Sequence, residues 1–115
     1  MALIGDGSAM YNIQALWTAA HERIAVVFVI FNNRSYRILK QRLDALQGHA
    51  AQTGRYVAMD LQDPAIDFVA LSRSLGVQAE RVATLDAVRT ALAAALAAQA
   101  PRLIEVELDP SFRAV

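Results

Sequence analysis

The chain has 115 residues, carries no net formal charge (11 basic against 11 acidic residues) and is 56% hydrophobic. That suffices for one packed domain, and the balanced charge offers no attraction to nucleic acid or to an anionic membrane surface. Without cysteine there is no disulfide or thiolate metal site, and the longest strongly apolar run, Ile24–Phe31, is far shorter than the ~20 residues of a membrane span.

In chain order, Ala2–Ile4 is a short apolar strand ended by Gly5. Residues 8–20 have a helical spacing of apolar side chains at Met10, Ile13, Leu16, Trp17 and Ala20, with Asp6 or Ser8 as the cap. Ile24–Phe31 is continuously apolar and rich in Val and Ile, the pattern of a central strand covered on both faces. It ends at Asn32-Asn33. Residues 36–46 are helical, and residues 47–63 read as a long surface connection. Asp63-Pro64 opens a further helix that Gly76 stops. Residues 77–84 form a short strand. A helix follows from Leu85 with a stripe of Leu85, Val88, Leu92 and Leu96, and Pro101 closes it. Residues 102–110 alternate apolar and charged, which predicts a strand with one wetter face, at an edge of the sheet. The order β-α-β-α-α-β-α-β predicts an α/β fold, three layers (α/β/α) around a mostly parallel sheet.

Two turns share one edge in such a sheet. Gly5-Asp6-Gly7-Ser8 follows the first strand and Asn32-Asn33 the second. Ligands of parallel sheets bind beyond the carboxyl ends of the strands. The Asp6 carboxylate and the Asn33 amide oxygen are hard donors of the kind Mg²⁺ or Ca²⁺ takes, and a backbone carbonyl at Ser35 adds a third. Two side chains hold a divalent ion poorly alone but well when a diphosphate supplies further oxygens. Gly7 and Ser8, at a helix start, offer N–H groups to phosphate, and Gly5 and Gly7 let a ligand approach the backbone. Either turn alone is ordinary turn chemistry. A third Gly for a dinucleotide fingerprint is missing, because position 10 is Met10, and no Gly-Lys-Ser/Thr follows.

The stretch GDGSAMYNIQALWTAAHERIAVVFVIFNNRSYRILKQRL resembles the Gly-Asp-Gly…Asn-Asn motif of thiamine-diphosphate-dependent enzymes. It is similar to the C-terminal, diphosphate-binding domain of the branch that contains benzoylformate decarboxylase and acetolactate synthase. The resemblance implies metal ligation by Asp6, Asn33 and the Ser35 carbonyl, and cofactor contacts from Gly5, Gly7, Ser8 and Tyr36. Leu39 falls on the substrate side, where some decarboxylases carry a Glu. The implied cofactors are thiamine diphosphate and Mg²⁺ (or Ca²⁺), and the implied substrate is a small 2-oxo acid.

Such enzymes have three domains. On this reading residues 1–115 are the C-terminal part of a diphosphate-binding domain, incomplete at its N-terminal side. The pyrimidine-binding domain, from the same or a partner subunit, and the middle domain are absent. The expectation is a cytoplasmic enzyme, dimeric or tetrameric when full length, with the isolated fragment inactive. A carboligase of acetolactate synthase type is the alternative within the class. A non-catalytic, flavodoxin-like ligand-binding or regulatory module is the alternative outside it. The remaining candidates read as structural. His21 suits a helix C-terminus, and His49 lies in the loop. Arg34, Arg37, Lys40 and Arg42 form a solvated face or a contact to the missing domains. Trp17 reads as core or interface, Met10 as packing, and Asp60 and Asp63 as turn residues.

Overall fold

A computed structural model describes residues 1–112. Four parallel strands, β1 (Ala2–Gly5), β2 (Val27–Asn32), β3 (Gln78–Val82) and β4 (Arg102–Glu107), form one sheet in the order β1-β2-β4-β3. The helices are α1 (Asp6–Ala9), α2 (Ala15–His21), α3 (Arg37–Ala45), α4 (His49–Thr53), α5 (Phe68–Ser74) and α6 (Leu85–Ala97). The chain steps from β1 to β2 and on to β3 with α1, α2 and α5 on one face, where Ala9, Leu16 and Phe68 pack with Ile30 and Leu103. It then steps back to β4 with α6 on the other face, where Ala91 and Ala95 pack with Val29 and Ile104. A reversed step with the helix on the opposite side keeps a single crossover hand throughout. The three-layer α/β/α arrangement is the one expected.

Several boundaries differ from the sequence reading, each for a local reason. The helix expected over residues 8–20 is two helices. Between them Tyr11, Asn12, Ala15 and Leu16 donate to carbonyls three residues back, so the backbone tightens into successive turns. The break changes the phase: Ala9, Leu16 and Ala19 face inward, and Met10 and Trp17 are exposed. Trp17 instead stacks on His21, ring centroids 4.8 Å apart. The second strand begins at Val27, leaving Ile24 exposed. The helix expected from Pro64 begins at Phe68, because Asp67 caps it by accepting the Ala70 N–H at 3.0 Å. The connection over 47–63 contains α4.

The last strand is not at an edge. β4 lies between β2 and β3, and its Glu105 is buried. Alternating charge signals a wet face only if the charges reach water. Here Glu105 meets partners from other strands (below). Half of the expected α6 stripe holds: Val88 and Leu92 pack against the core, but the buried positions are Ala91 and Ala95, and Leu85 and Leu96 are exposed. Alanine allows a close helix-to-sheet approach, and the leucines that periodicity singled out border it. On that face α6 covers β2, β3 and β4, and Leu3 of β1, beside Val29, stays exposed. No helix among the described residues is long and apolar enough to cross a membrane.

Candidate functional site

The register sets Gly5 beside Phe31, so β1 and β2 end together and their two turns meet. Asp6, only 2% exposed, is the first residue of α1. Its Oδ1 accepts the Gly7 N–H at 2.9 Å, and its Oδ2 accepts the Ser35 N–H at 3.1 Å. Asn33 is two residues before Ser35, within about 7 Å along the chain. Asp6 and the Asn33 turn are therefore held on one rim. Gly7 spends its N–H on Asp6, so Ser8 is left to offer the free start of α1.

The segment read from sequence as a plain connection pins the second turn from outside. Tyr36 donates its N–H to the Met59 carbonyl at 2.9 Å, Leu61 donates to the Arg34 carbonyl at 2.8 Å, and the Ser35 hydroxyl donates to Met59 at 3.0 Å. Lys40 is buried rather than solvated. It pairs with Asp60 and lies 5.7 Å from the Tyr56 and Phe112 ring centroids. Arg37 likewise leaves the expected basic face, donating from Nη2 to the backbone carbonyls of Asp109 and Ser111.

Between the turns lies a cleft of about 200 Å³ lined by Gly5, Asp6, Gly7 and Ser8 on one side and Asn33, Ser35, Tyr36, Arg37 and Ile38 on the other. The Tyr36 ring rests against the Gly7 backbone, where a Cβ would lie 2.5 Å from its ring carbons. Leu39, 45% exposed, is outside this lining, and Ile38 takes that border. Larger hollows exist, one of about 500 Å³ bordered by Asp44, Gln47 and Gln52. Chemistry separates them. Among the described residues, two buried side-chain polar atoms have no hydrogen-bond partner, Asn33 Oδ1 and Arg37 Nε, and both residues line the smaller cleft. A buried polar group without a partner costs free energy unless a ligand satisfies it. One orphan is an acceptor that wants a cation, and the other is a donor that wants an anion. No group of three or more His, Asp or Glu side chains that could hold a metal is found among the described residues. A cation here therefore needs oxygens from its ligand as well.

Beside the cleft runs a polar chain. Asn32 Nδ2 donates to Glu105 Oε1 at 2.6 Å, and Arg81 Nε donates to Glu105 Oε2 at 2.9 Å. Arg81 Nη2 reaches Asp67 Oδ1 at 3.0 Å. The Arg81 guanidinium titrates above its usual range: its hydrogen bond to Glu105 raises it most, partial burial opposes this, and the charges of Glu105, Asp67 and Glu107 add to the rise. The Asp67 carboxyl is held below the usual carboxylate range, first by the Ala70 N–H and then, against some burial, by Arg81. Neither Arg81 nor Glu105 stood out in the sequence, and Arg37 did so only as a member of the basic cluster. Their partners lie 14 to 74 residues away, and no local spacing encodes them.

Residues 1–106 match the family described as thiamine pyrophosphate enzyme, C-terminal TPP binding domain. The chain is 42% identical over 106 residues to benzoylformate decarboxylase of Pseudomonas aeruginosa, covering 92% of this chain and 19% of that protein. It is 32% identical over 108 residues to the acetolactate synthase large subunit of Parasynechococcus marenigrum, covering 94% and 17%. The solved structure of the thiamine diphosphate-dependent 4-hydroxybenzoylformate decarboxylase of Rhodococcus jostii RHA1 superposes with a TM-score of 0.81 at 45% identity, covering 95% of this chain and 20% of that one. The chain thus spans about a fifth of the length of these relatives.

Proposed function

This chain belongs to the thiamine pyrophosphate enzyme family through its C-terminal TPP binding domain, and from that premise we propose that its cleft holds the diphosphate of thiamine diphosphate through one divalent cation, Mg²⁺ or Ca²⁺. The carrying observation is the pair of buried orphan atoms of opposite need, Asn33 Oδ1 and Arg37 Nε, on residues that line one cleft together with the buried Asp6. Asp6, Asn33 and the Ser35 carbonyl hold the cation. Ser8, Tyr36 and Arg37 face the phosphoryl oxygens, and Gly5 and Gly7 keep the approach clear. Bound, thiamine diphosphate supplies a nucleophilic carbon and an electron sink for cleaving the bond beside a carbonyl. This chain anchors and orients, and the apolar Leu39 lies toward the substrate and moves no proton.

The working enzyme is a larger protein, an oligomer in which a pyrimidine-binding domain of the same or a partner subunit completes the centre. Its reaction is decarboxylation of a small 2-oxo acid of the benzoylformate type. Carboligation of the acetolactate synthase type is the second reading, favoured by the 32% identity to that large subunit. Residues 1–115 alone turn over neither substrate.

Calorimetry with thiamine diphosphate and Mg²⁺, on the chain and on any longer protein that contains it, tests the anchor. Asp6→Ala is expected to weaken binding on the order of 100-fold, the scale of a lost charge-assisted contact. Equal binding without the Asp6 carboxylate would sink the reading. Aldehyde against acetohydroxy acid as the product of the longer protein separates the two reactions.

A further inference from the structure

Glu105 sits near the middle of β4, 1% exposed, on the face filled by Ile30, Leu103 and Phe68. Burying a carboxylate is costly, and an apolar side chain of similar volume is often at least as stable in such a place. Packing alone therefore gives no reason for an acid here, but its hydrogen bonds do. A carboxylate only accepts, so the Asn32 amide must present its nitrogen to Glu105 and its oxygen elsewhere. That oxygen accepts the Arg34 N–H at 3.0 Å. Arg34 has φ 56°, a left-handed conformation uncommon outside glycine, and an Asn side chain bonded two residues on stabilises such a turn. The turn carries the Ser35 N–H to Asp6 and leaves Asn33, which lines the cleft, with its buried Oδ1 unpartnered.

We infer that Glu105, through Asn32, is a positioning residue that sets the 33–35 turn for cation binding. Arg81, bonded to Glu105 and to Asp67, fixes Glu105 from the other side. The inference rests on the cation–diphosphate reading of the cleft, so its test keeps the two apart.

The probe is Mn²⁺ with inorganic pyrophosphate on the full chain, free Mn²⁺ being read by electron paramagnetic resonance. Thermal melting without Mn²⁺ reports stability separately. Glu105→Gln offers one acceptor where two donors converge, and Asn32→Ala leaves Glu105 paired with Arg81 but frees the turn. Each is expected to weaken Mn²⁺ binding about tenfold or more, as loss of a ligand-orienting contact does. The double variant Asn32→Asp/Glu105→Gln exchanges acid and amide. The glutamine amide then donates to the aspartate, whose second oxygen still accepts from Arg34, while the glutamine carbonyl still accepts from Arg81. Affinity is expected to return to within about threefold of the parent. A purely structural role would lower melting temperatures and leave Mn²⁺ affinity of the folded protein unchanged, and that result overturns the inference. So does a double variant that melts like the parent yet binds no better than either single one. Asp6→Asn decides which claim has failed. If it abolishes Mn²⁺ binding while Glu105→Gln and Asn32→Ala do not, only the positioning role falls; if it too has no effect, the cleft reading falls with it.

Discussion

Gly7→Ala is expected to leave the fold almost as stable and to damage ligand binding. A Cβ at position 7 would lie 2.5 Å from Cδ1 and Cε1 of Tyr36. Carbon atoms rest about 3.5 to 4.0 Å apart, so the ring must give by about 1 Å. A tyrosine ring hinged at χ1 can do so for about 0.5–1.5 kcal/mol, the cost of a ~30° departure from its rotamer. Gly7 lies in α1, and replacing a helical glycine by alanine returns about 0.5–1 kcal/mol. The two effects nearly cancel, so the melting temperature should move by less than about 8 °C. The cleft has no such compensation, because Tyr36 forms part of its wall. Losing one contact to a charged phosphate weakens binding by about 10- to 100-fold. Gly5→Ala is the control. Its Cβ meets nothing within 4 Å, and its φ of −74° suits any residue. Stability should stay within about 0.5 kcal/mol, so a tenfold loss there reports ligand passing over Gly5. The assays are thermal melting and calorimetry with Mg²⁺ and thiamine diphosphate. Binding of Gly7→Ala within twofold of the parent would refute the placement of the ligand against Tyr36.

Phe68→Ala removes a ring that is 1% exposed between α5 and the sheet. It should cost about 3–5 kcal/mol, lowering the melting temperature by at least about 12 °C, and a drop under about 5 °C would remove Phe68 from the core. The Asp67 carboxyl is held below the usual carboxylate range by the Ala70 N–H and by Arg81, so its stabilisation is present above that range. It disappears as pH falls through the lowered value. Asp67→Asn keeps a capping side chain but removes the charge, so acid-unfolding curves should differ at neutral pH and converge at low pH. Curves that coincide throughout would show that the charge contributes nothing.

Legibility in the sequence followed the range of the interactions. The strands were readable because hydrophobic runs act locally. The shared rim that brings Asp6 to the Asn33 turn, whose Ser35 is 29 residues away, was readable from parallel-sheet topology and the Gly-Asp-Gly…Asn-Asn motif. The break at residues 10–14 was not, because i to i+3 turns leave the apolar spacing intact. β4 looked like an edge strand because Glu105 resembles a solvent-facing charge until Arg81 and Asn32 are brought to it. The α6 stripe misled in part, for a different reason. Periodicity weights leucine over alanine, while the sheet selected the small residues Ala91 and Ala95. Arg37 and Lys40 read as a solvated face because their acceptors, Asp109 and Ser111 for one and Asp60 for the other, are distant in the chain.

The central position of β4 bears on how the protein is made. β2 and β3 are both synthesised before the strand that must slot between them. A growing chain can therefore form the β1–β2 pair early, but it must keep a slot open until β4 has emerged from the ribosome. Such non-local closure is slow, and it exposes unpaired strand borders to neighbouring chains in the meantime. Asn32 finds Glu105 only at that step, so competence to take up a ligand should follow, not precede, the insertion of β4.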